Sequence, residues 1–390
     1  MRLWSLFLTF FCMVNIREHA WACDGESARG EVSILVAAHD AAPSSRSSAQ
    51  FVADGKGDHE EINAAIQSLP ETGGTVQLSE GTFDIRRIPG KLGGILIERS
   101  HVVLAGCGTA TRLILAPEQE TNVIRIIGHG VGHVTIRDLF IDANSDANPL
   151  GAGDTNVAHA RFEFCGIKGY CREPGQSGGE DVHHISVRNC HIVNARRLGI
   201  MLEGSGMKVQ DNFLGNAGSD VVEILTGPGQ MLGNYAEITG RTHVAFGSDR
   251  GNNIIMSNNT IHVKKDGDID IGFRTWAGSK HHVVSGNVIR VEPGGKMGLA
   301  MDVRGTETTI SANSVHNLQE NTLPLLISAG NAVVTGNIFE NVTLTVDDKS
   351  EHPKPVYIHN NVLQNSSVIV KAGNVNPPAP ETGHEPASQN

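Results

Sequence analysis

Apolar and polar residues alternate along this chain in runs of a few positions, and the runs return at a steady interval. From Gly204 to Asn361 one phrase recurs, in which apolar residues flank an asparagine: Asn212, Asn234, Asn259, Asn287, Asn313, Asn337 and Asn361, spaced by 22, 25, 28, 26, 24 and 24 residues. Between these phrases lies a second alternating run, at Ile200–Glu203, Val222–Leu225, Val244–Gly247, Ile269–Arg274, Leu299–Arg304 and Leu325–Ser328. A unit of this size made of short strands and tight turns cannot bury its apolar side alone and must stack on its neighbours. The strands follow each other too closely for helices between them. The pattern therefore predicts an all-β fold, a single-stranded right-handed parallel β-helix. The repeated Asn would form a ladder, each side chain bonding turn backbone and the Asn of the next coil.

Upstream, Asp58 followed by Glu61 reads as a capping box. Ile62, Ala65, Ile66 and Leu69 then fall on one helical face, and Pro70 closes the segment. A helix over about 58–69 would plug the open end of the solenoid core. Val102–Leu104 and Val134–Ile141 read as further coils. The division predicted is a flexible lead-in at 23–50 and a β-helix domain at 51–373, with a Gly-rich insertion at about 143–182. A disordered tail follows at 374–390.

Arg2 precedes an apolar run from Leu3 to Val14, and Ala20-Trp21-Ala22 offers a small-x-small cleavage site. Residues 1–22 thus read as a signal peptide, and the protein as secreted or periplasmic. In that compartment Cys165 and Cys171, six apart, are the evident disulfide pair, while the pairing of Cys23, Cys107 and Cys190 stays open. A net charge of −11 argues against nucleic acid or an anionic membrane as the partner, and 45 glycines with only 19 % charged residues suit many tight turns around one core.

Residues at equal positions of successive coils form columns, because parallel strands stack at ~4.8 Å. Strict alternation points Glu223, His243, Asp268, Asp270, Arg274, Asp302 and Arg304 outward. Glu223, Ala245, Asp270 and Ala300 would share one column, and Leu225, Gly247, Gly272 and Asp302 the next. Carboxylates separated by small residues make a shallow floor wide enough for a sugar ring. Trp276, the one tryptophan beyond the leader, follows Arg274 by two and offers a face for stacking, and Asp249 and Arg250 are counted with it among the substrate-binding candidates. Glu223 and Asp270 are two coils apart, within reach of the ~5–9 Å used in glycosidic cleavage. Crowding of Glu223 by Asp220 and Asp270 would raise one pKa. No metal site is assigned: His183-His184 and His281-His282 stand at coil starts and read as turn residues.

Asp54-Gly55-Lys56-Gly57-Asp58, Ala65-Ile66, Gly73-Gly74-Thr75-Val76 and Gly81-Thr82-Phe83 resemble the opening of pectate-lyase-superfamily β-helix proteins. That opening is shared by lyases, glycosidases, epimerases and tailspikes, so it implies the fold and leaves the chemistry open. A second stretch is more particular. Asp211-Asn212, then Val222-Glu223-Ile224-Leu225-Thr226-Gly227-Pro228-Gly229-Gln230, is similar to the catalytic stretch of inulin fructotransferases. Their pattern is an Asp-Asn phrase and then Val-Glu-Leu-Thr-Gly-x-Gly-Gln. The resemblance implies Glu223 as acid/base residue, Asp211 as second carboxylate, a homotrimer, and attack by a neighbouring sugar hydroxyl instead of water. The Asp-to-Glu interval is 12 here, one more than the family pattern, and an Ile is inserted after the Glu.

The function expected is cleavage of glycosidic bonds in a polysaccharide or oligosaccharide without a cofactor. Two other readings stay open. A lyase acting by β-elimination would draw its base and charge-neutralising groups from Arg274, Arg304, His243, Lys264, Lys265 and the Asp249-Arg250 pair, or use Ca²⁺ held by Asp268, Asp270 and Asp302. A non-catalytic glycan-binding adhesin would favour several exposed aromatics, whereas the aromatic content is 5 %. The uronan-epimerase phrase Tyr-Gly-x-Asp-Pro-His is absent; Leu198-Gly199-Ile200-Met201 stands at that coil.

Overall fold

The computed structural model describes residues 32–149, 164–170 and 182–376. They form a right-handed parallel β-helix of about eleven turns, every strand pair being parallel. One wall is an eleven-stranded sheet running in chain order from Ile95–Ile97 through Asp220–Ile224, Arg241–Ser248, Asp268–Thr275 and Lys296–Val303 to Ser367–Ala372. The remaining walls belong to a second sheet, in which Met207–Gln210 pairs with Gly229–Leu232, and that strand with Ile254–Ser257. The inward side chains, among them Val222, Ile224, Phe246, Phe273, Met301 and Leu325, make one continuous core.

The asparagine spine forms as the repeat predicts. Asn212 Nδ2 donates to Asn234 Oδ1 at 2.9 Å, Asn234 to Asn259 at 2.9 Å, Asn259 to Asn287 at 3.0 Å, and the series continues through Asn313 and Asn337 to Asn361. Each Nδ2 also donates to a strand carbonyl of the preceding coil, as Asn259 does to Met231. Cys190 stands at the head of the spine, its N–H donating to Asn212 Oδ1 at 2.9 Å. The residue before each spine Asn is left-handed: Asp211 (φ 54°), Gly233 (66°), Asn258 (57°), Gly286 (65°), Ala312 (56°), Gly336 (66°) and Asn360 (56°). Gly, Asn and Asp enter that region at least cost. Six of these seven positions use them.

The cap is the helix His59–Ser68, with Ile62, Ala65 and Ile66 buried. Asn63 binds it to the first strand of the eleven-stranded wall, donating to Gly94 O and accepting from Leu96 N, both at 2.8 Å. The predicted capping box is not made. Asp58 has helical angles, and its carboxylate instead accepts from Gly55 N and Asp84 N, each at 2.7 Å.

Three boundaries differ from the sequence-based division. The described part of the lead-in is structured: Ser33–Ala37 pairs with Gly74–Leu78, and Pro43–Ser48 is a short helix. Its alternation is brief, and only the parallel partner forty residues on reveals it as a strand. Within 143–182, Ile167–Gly169 is a rung of the eleven-stranded wall, seated between Ile124–Ile126 and Ile200–Leu202. Gly and charged residues around that three-residue strand hide its pattern. Cys165 is buried, and Cys171, its expected partner, lies outside the described residues. Toward the other end, Val375–Asn376 still pairs, with Val356–Tyr357.

Candidate active site

The site is built on a break in alternation. Val221 and Val222 both belong to the core, as do Ala245 and Phe246 one coil on and Ala300 and Met301 beyond. Two consecutive inward residues reverse the facing of everything upstream. Asp220 and Glu223, three apart, therefore both line one cleft. The columns move accordingly. Glu223 is level with Gly247, Gly247 with Arg274, and Arg274 with Asp302. Strict alternation had set Glu223 beside Ala245 and Asp270, and Asp302 in a separate column with Gly247 and Gly272.

Arg274 is the centre. Its guanidinium reaches back across Gly247, with Nη2 2.7 Å from Asp220 Oδ2, 3.2 Å from Glu223 Oε1 and 3.0 Å from Asp249 Oδ1. Gly247 makes that crossing feasible, since a Cβ there would lie 2.5 Å from Asp220 Oδ2 and 3.3 Å from Arg274 Nη2. Arg274, Asp220 and Glu223 are all buried. Three carboxyl groups around one cation, away from water, cannot all ionise cheaply. Burial, then Asp220 and Asp249, push Glu223 well above the usual carboxylate range against the pull of Arg274, and a hydrogen bond to Asp249 adds to the rise. Burial also pushes Asp220 up to about 6, with Arg274 opposing it. Of the two carboxyls, Glu223 is the one pushed further toward its protonated form.

The cleft has a volume of about 390 Å³. Arg197, Leu198, Ser219, His243, Ile271, Trp276 and Arg304 complete its lining. Arg304 grips the buried Asp302, with Nε 3.0 Å from both carboxylate oxygens and Nη2 2.8 Å from Oδ2. Trp276 stands in front of both arginines, its ring 4.6 Å from the Arg304 guanidinium carbon and 5.4 Å from that of Arg274. At the rim, His243 Nδ1 is 2.7 Å from Asp270 Oδ2, and Arg241 contacts the same oxygen at 2.5 Å. Those two bonds hold the Asp270 carboxyl below its ordinary range.

Of the residues singled out in the sequence, Glu223, His243, Asp249, Arg274, Trp276 and Arg304 meet in this cleft. Asp302 lies behind it on Arg304, and Asp270 behind His243. Asp268 pairs with Arg241 at 3.2 Å on the exposed surface. Arg250 is a left-handed turn residue (φ 58°) outside the lining. Asp211 is also outside it: it follows a strand of the other sheet and fills the left-handed position before Asn212, so it is a turn residue and not a partner of Glu223. The residues proposed for Ca²⁺ do not converge, since Asp268 and Asp270 are taken up by Arg241 and Asp302 by Arg304. Asp220 was visible in the sequence only as a neighbour crowding Glu223. The signal that it shares the cleft is the Val221-Val222 doublet.

No protein-family model matches the chain, and no curated protein does. Solved structures do. DFA-IIIase from Arthrobacter chlorophenolicus A6 matches with a TM-score of 0.54 at 14 % identity, over 87 % of this chain and 86 % of that one. The same enzyme in complex with DFA-III matches at 0.53 and 14 % identity, over 86 % and 84 %. The A-module of a mannuronan C-5 epimerase from Azotobacter vinelandii matches at 0.49 and 17 % identity, over 84 % and 98 %. The likeness is one of fold.

Proposed function

We propose that the protein is a carbohydrate-active enzyme that cleaves glycosidic bonds of a polysaccharide, with Glu223 as proton donor. The observation that carries this reading is the buried Asp220–Glu223 pair on one arginine nitrogen. Contacts of 2.7 and 3.2 Å to Nη2 limit the two carboxyl oxygens to a separation of about 6 Å. Carboxyl groups ~5–5.5 Å apart serve retaining cleavage, one protonating the leaving oxygen while the other stabilises or attacks the anomeric carbon. Here Glu223, held protonated, is the acid, and Asp220, nearer ionisation, is the counter-carboxylate. Asp249 accepts the Glu223 hydrogen bond until a glycosidic oxygen replaces it. Trp276 offers an apolar face to a sugar ring.

Charge supports an uncharged glycan over a uronate. Arg274 and Arg304 are already paired with carboxylates, whereas β-elimination would need a cation to neutralise the substrate's own acid. The fold shared with DFA-IIIase, solved with DFA-III and with GF2, supports a carbohydrate substrate. Transfer to a neighbouring sugar hydroxyl uses the same two carboxyls, with the hydroxyl in place of water. We also propose secretion and trimer formation, as the leader-like N-terminus and the fructotransferase resemblance imply.

The test incubates the secreted protein and Glu223→Gln with fructans, pectate, alginate and glycosaminoglycans, following released mass and absorbance of unsaturated uronates. Wild type is expected to release saccharides from a fructan, the variant none, with unchanged circular dichroism. Unsaturated products would establish elimination instead, and full turnover by the variant would remove Glu223 from the mechanism.

A further inference from the structure

Away from the cleft, three consecutive coils place a histidine at the same left-handed corner: His101 (φ 62°), His133 (55°) and His184 (51°). Their rings stack, His101 on His133 at 5.0 Å and His133 on His184 at 4.8 Å. His183, level with Gly132, stands edge-on to both His133 and His184. One ligand nitrogen each from His133, His183 and His184 lie within 4.8 Å of one another. Among the described residues this is the group of three or more potential metal-ligating side chains so arranged.

We propose that His133, His183 and His184 form a binding site for a late first-row divalent ion of the Cu²⁺, Ni²⁺ and Zn²⁺ class, clipping two coils together. The donor set is three imidazoles with no carboxylate in the group, which selects these ions over Ca²⁺ and Mg²⁺. One ligand is already oriented. His183 Nε2 lies 3.0 Å from Gly130 O, so it carries the proton and donates, leaving Nδ1 as the free lone pair. That Nδ1 is 2.8 Å from His184 Nδ1. With bonds of about 2.1 Å, nitrogens 2.8 Å apart subtend about 84° at a shared ion, near the cis angle of square-planar or octahedral sites. Without metal, His184 donates its Nδ1 proton to His183. On binding, that proton moves to Nε2 of the same ring, so both nitrogens face the ion and no proton is lost. Nitrogens on one ion can be at most about 4.2 Å apart. His133 and His184 are exposed and free to turn inward by the difference.

The clip would join the coil of Gly132–Asp142 to that of Val182–Arg188, directly across the long intervening segment. The test dialyses the full chain against EDTA and titrates it calorimetrically with CuSO₄, NiCl₂ or ZnCl₂, with CaCl₂ as control. It is repeated with His133→Asn/His184→Asn, because Asn tolerates the left-handed backbone, and with His281→Asn, also at a left-handed position (φ 60°), as a distant histidine control. Expected are one equivalent of tight binding, a rise in Tm, and nitrogen hyperfine structure in the Cu²⁺ spectrum. The double variant should lose that equivalent or bind at least tenfold more weakly, and His281→Asn should keep it. Absence of any bound equivalent, or equal binding by the double variant, overturns the proposal.

Discussion

Gly247→Ala tests the architecture of the cleft with a single methyl group. Gly247 has no left-handed φ, so alanine meets no backbone strain there, and the cost is one of space. The new Cβ would lie 2.5 Å from Asp220 Oδ2, about 0.9 Å inside ordinary contact. Asp220 is short and buried, so it can yield only by swinging off Arg274 and lengthening their 2.7 Å bond. A buried hydrogen bond between charged groups contributes about 1.5–3 kcal/mol, and that is the expected loss in urea unfolding. The pH profile should move as well. Arg274 is the principal influence holding Asp220 down, so loosening it raises Asp220 beyond about 6. The proposed mechanism requires Asp220 ionised and Glu223 protonated, so the wild-type acid limb should fall near pH 6 and the variant's limb higher. The folded-state shift carries its own sign. Native Asp220 holds its proton more tightly than the unfolded chain does, so its contribution favours folding in acid and fades as pH rises from about 4 to about 6. Saccharide release against pH and urea midpoints are the assays. A variant with wild-type stability and an unmoved acid limb would refute the role given to the Asp220–Arg274 contact.

Other outcomes follow from the same structure. Asn259→Ala removes a side chain that donates to Met231 O and Asn287 and accepts from Asn234 through both backbone and amide, all buried. A loss of about 3–5 kcal/mol is expected in urea unfolding, and Asn361→Ala, at the half-exposed end of the spine, should cost less. Ala312→Gly relieves the one non-Gly, non-Asn, non-Asp residue in the left-handed row and should raise stability by about 1 kcal/mol, read as a higher urea midpoint. Cys190, its thiol pushed up to about 12 by burial, should resist thiol reagents in the native protein and react on unfolding, while exposed Cys107 reacts throughout.

The fold was legible because its signal is periodic and local. Each spine Asn lies between apolar strand residues, and seven repeats leave little doubt about what stacks on what. The site was only half legible, for two physical reasons. Alternation fails where Val221-Val222 and Ala245-Phe246 both turn inward, and that doublet moves Asp220 to the Glu223 face and leaves Asp270 behind the rim. Arg274 also reaches sideways to Asp220, which is level with Val244 and shares no column with it. Asp211 misled for a third reason: the backbone needs a residue tolerant of positive φ there, and Asp meets that need without any chemistry.

The spine fixes one point in each coil from Asn212 to Asn361, while those coils range in length from 22 to 28 residues. Length changes are thus absorbed in the corners, with the rungs left in phase. A corner beside the cleft can gain or lose residues as a local event, because the next amide re-registers the chain before any error passes on. Such a scaffold allows the mouth of the cleft to be redesigned, by evolution or by hand, one coil at a time.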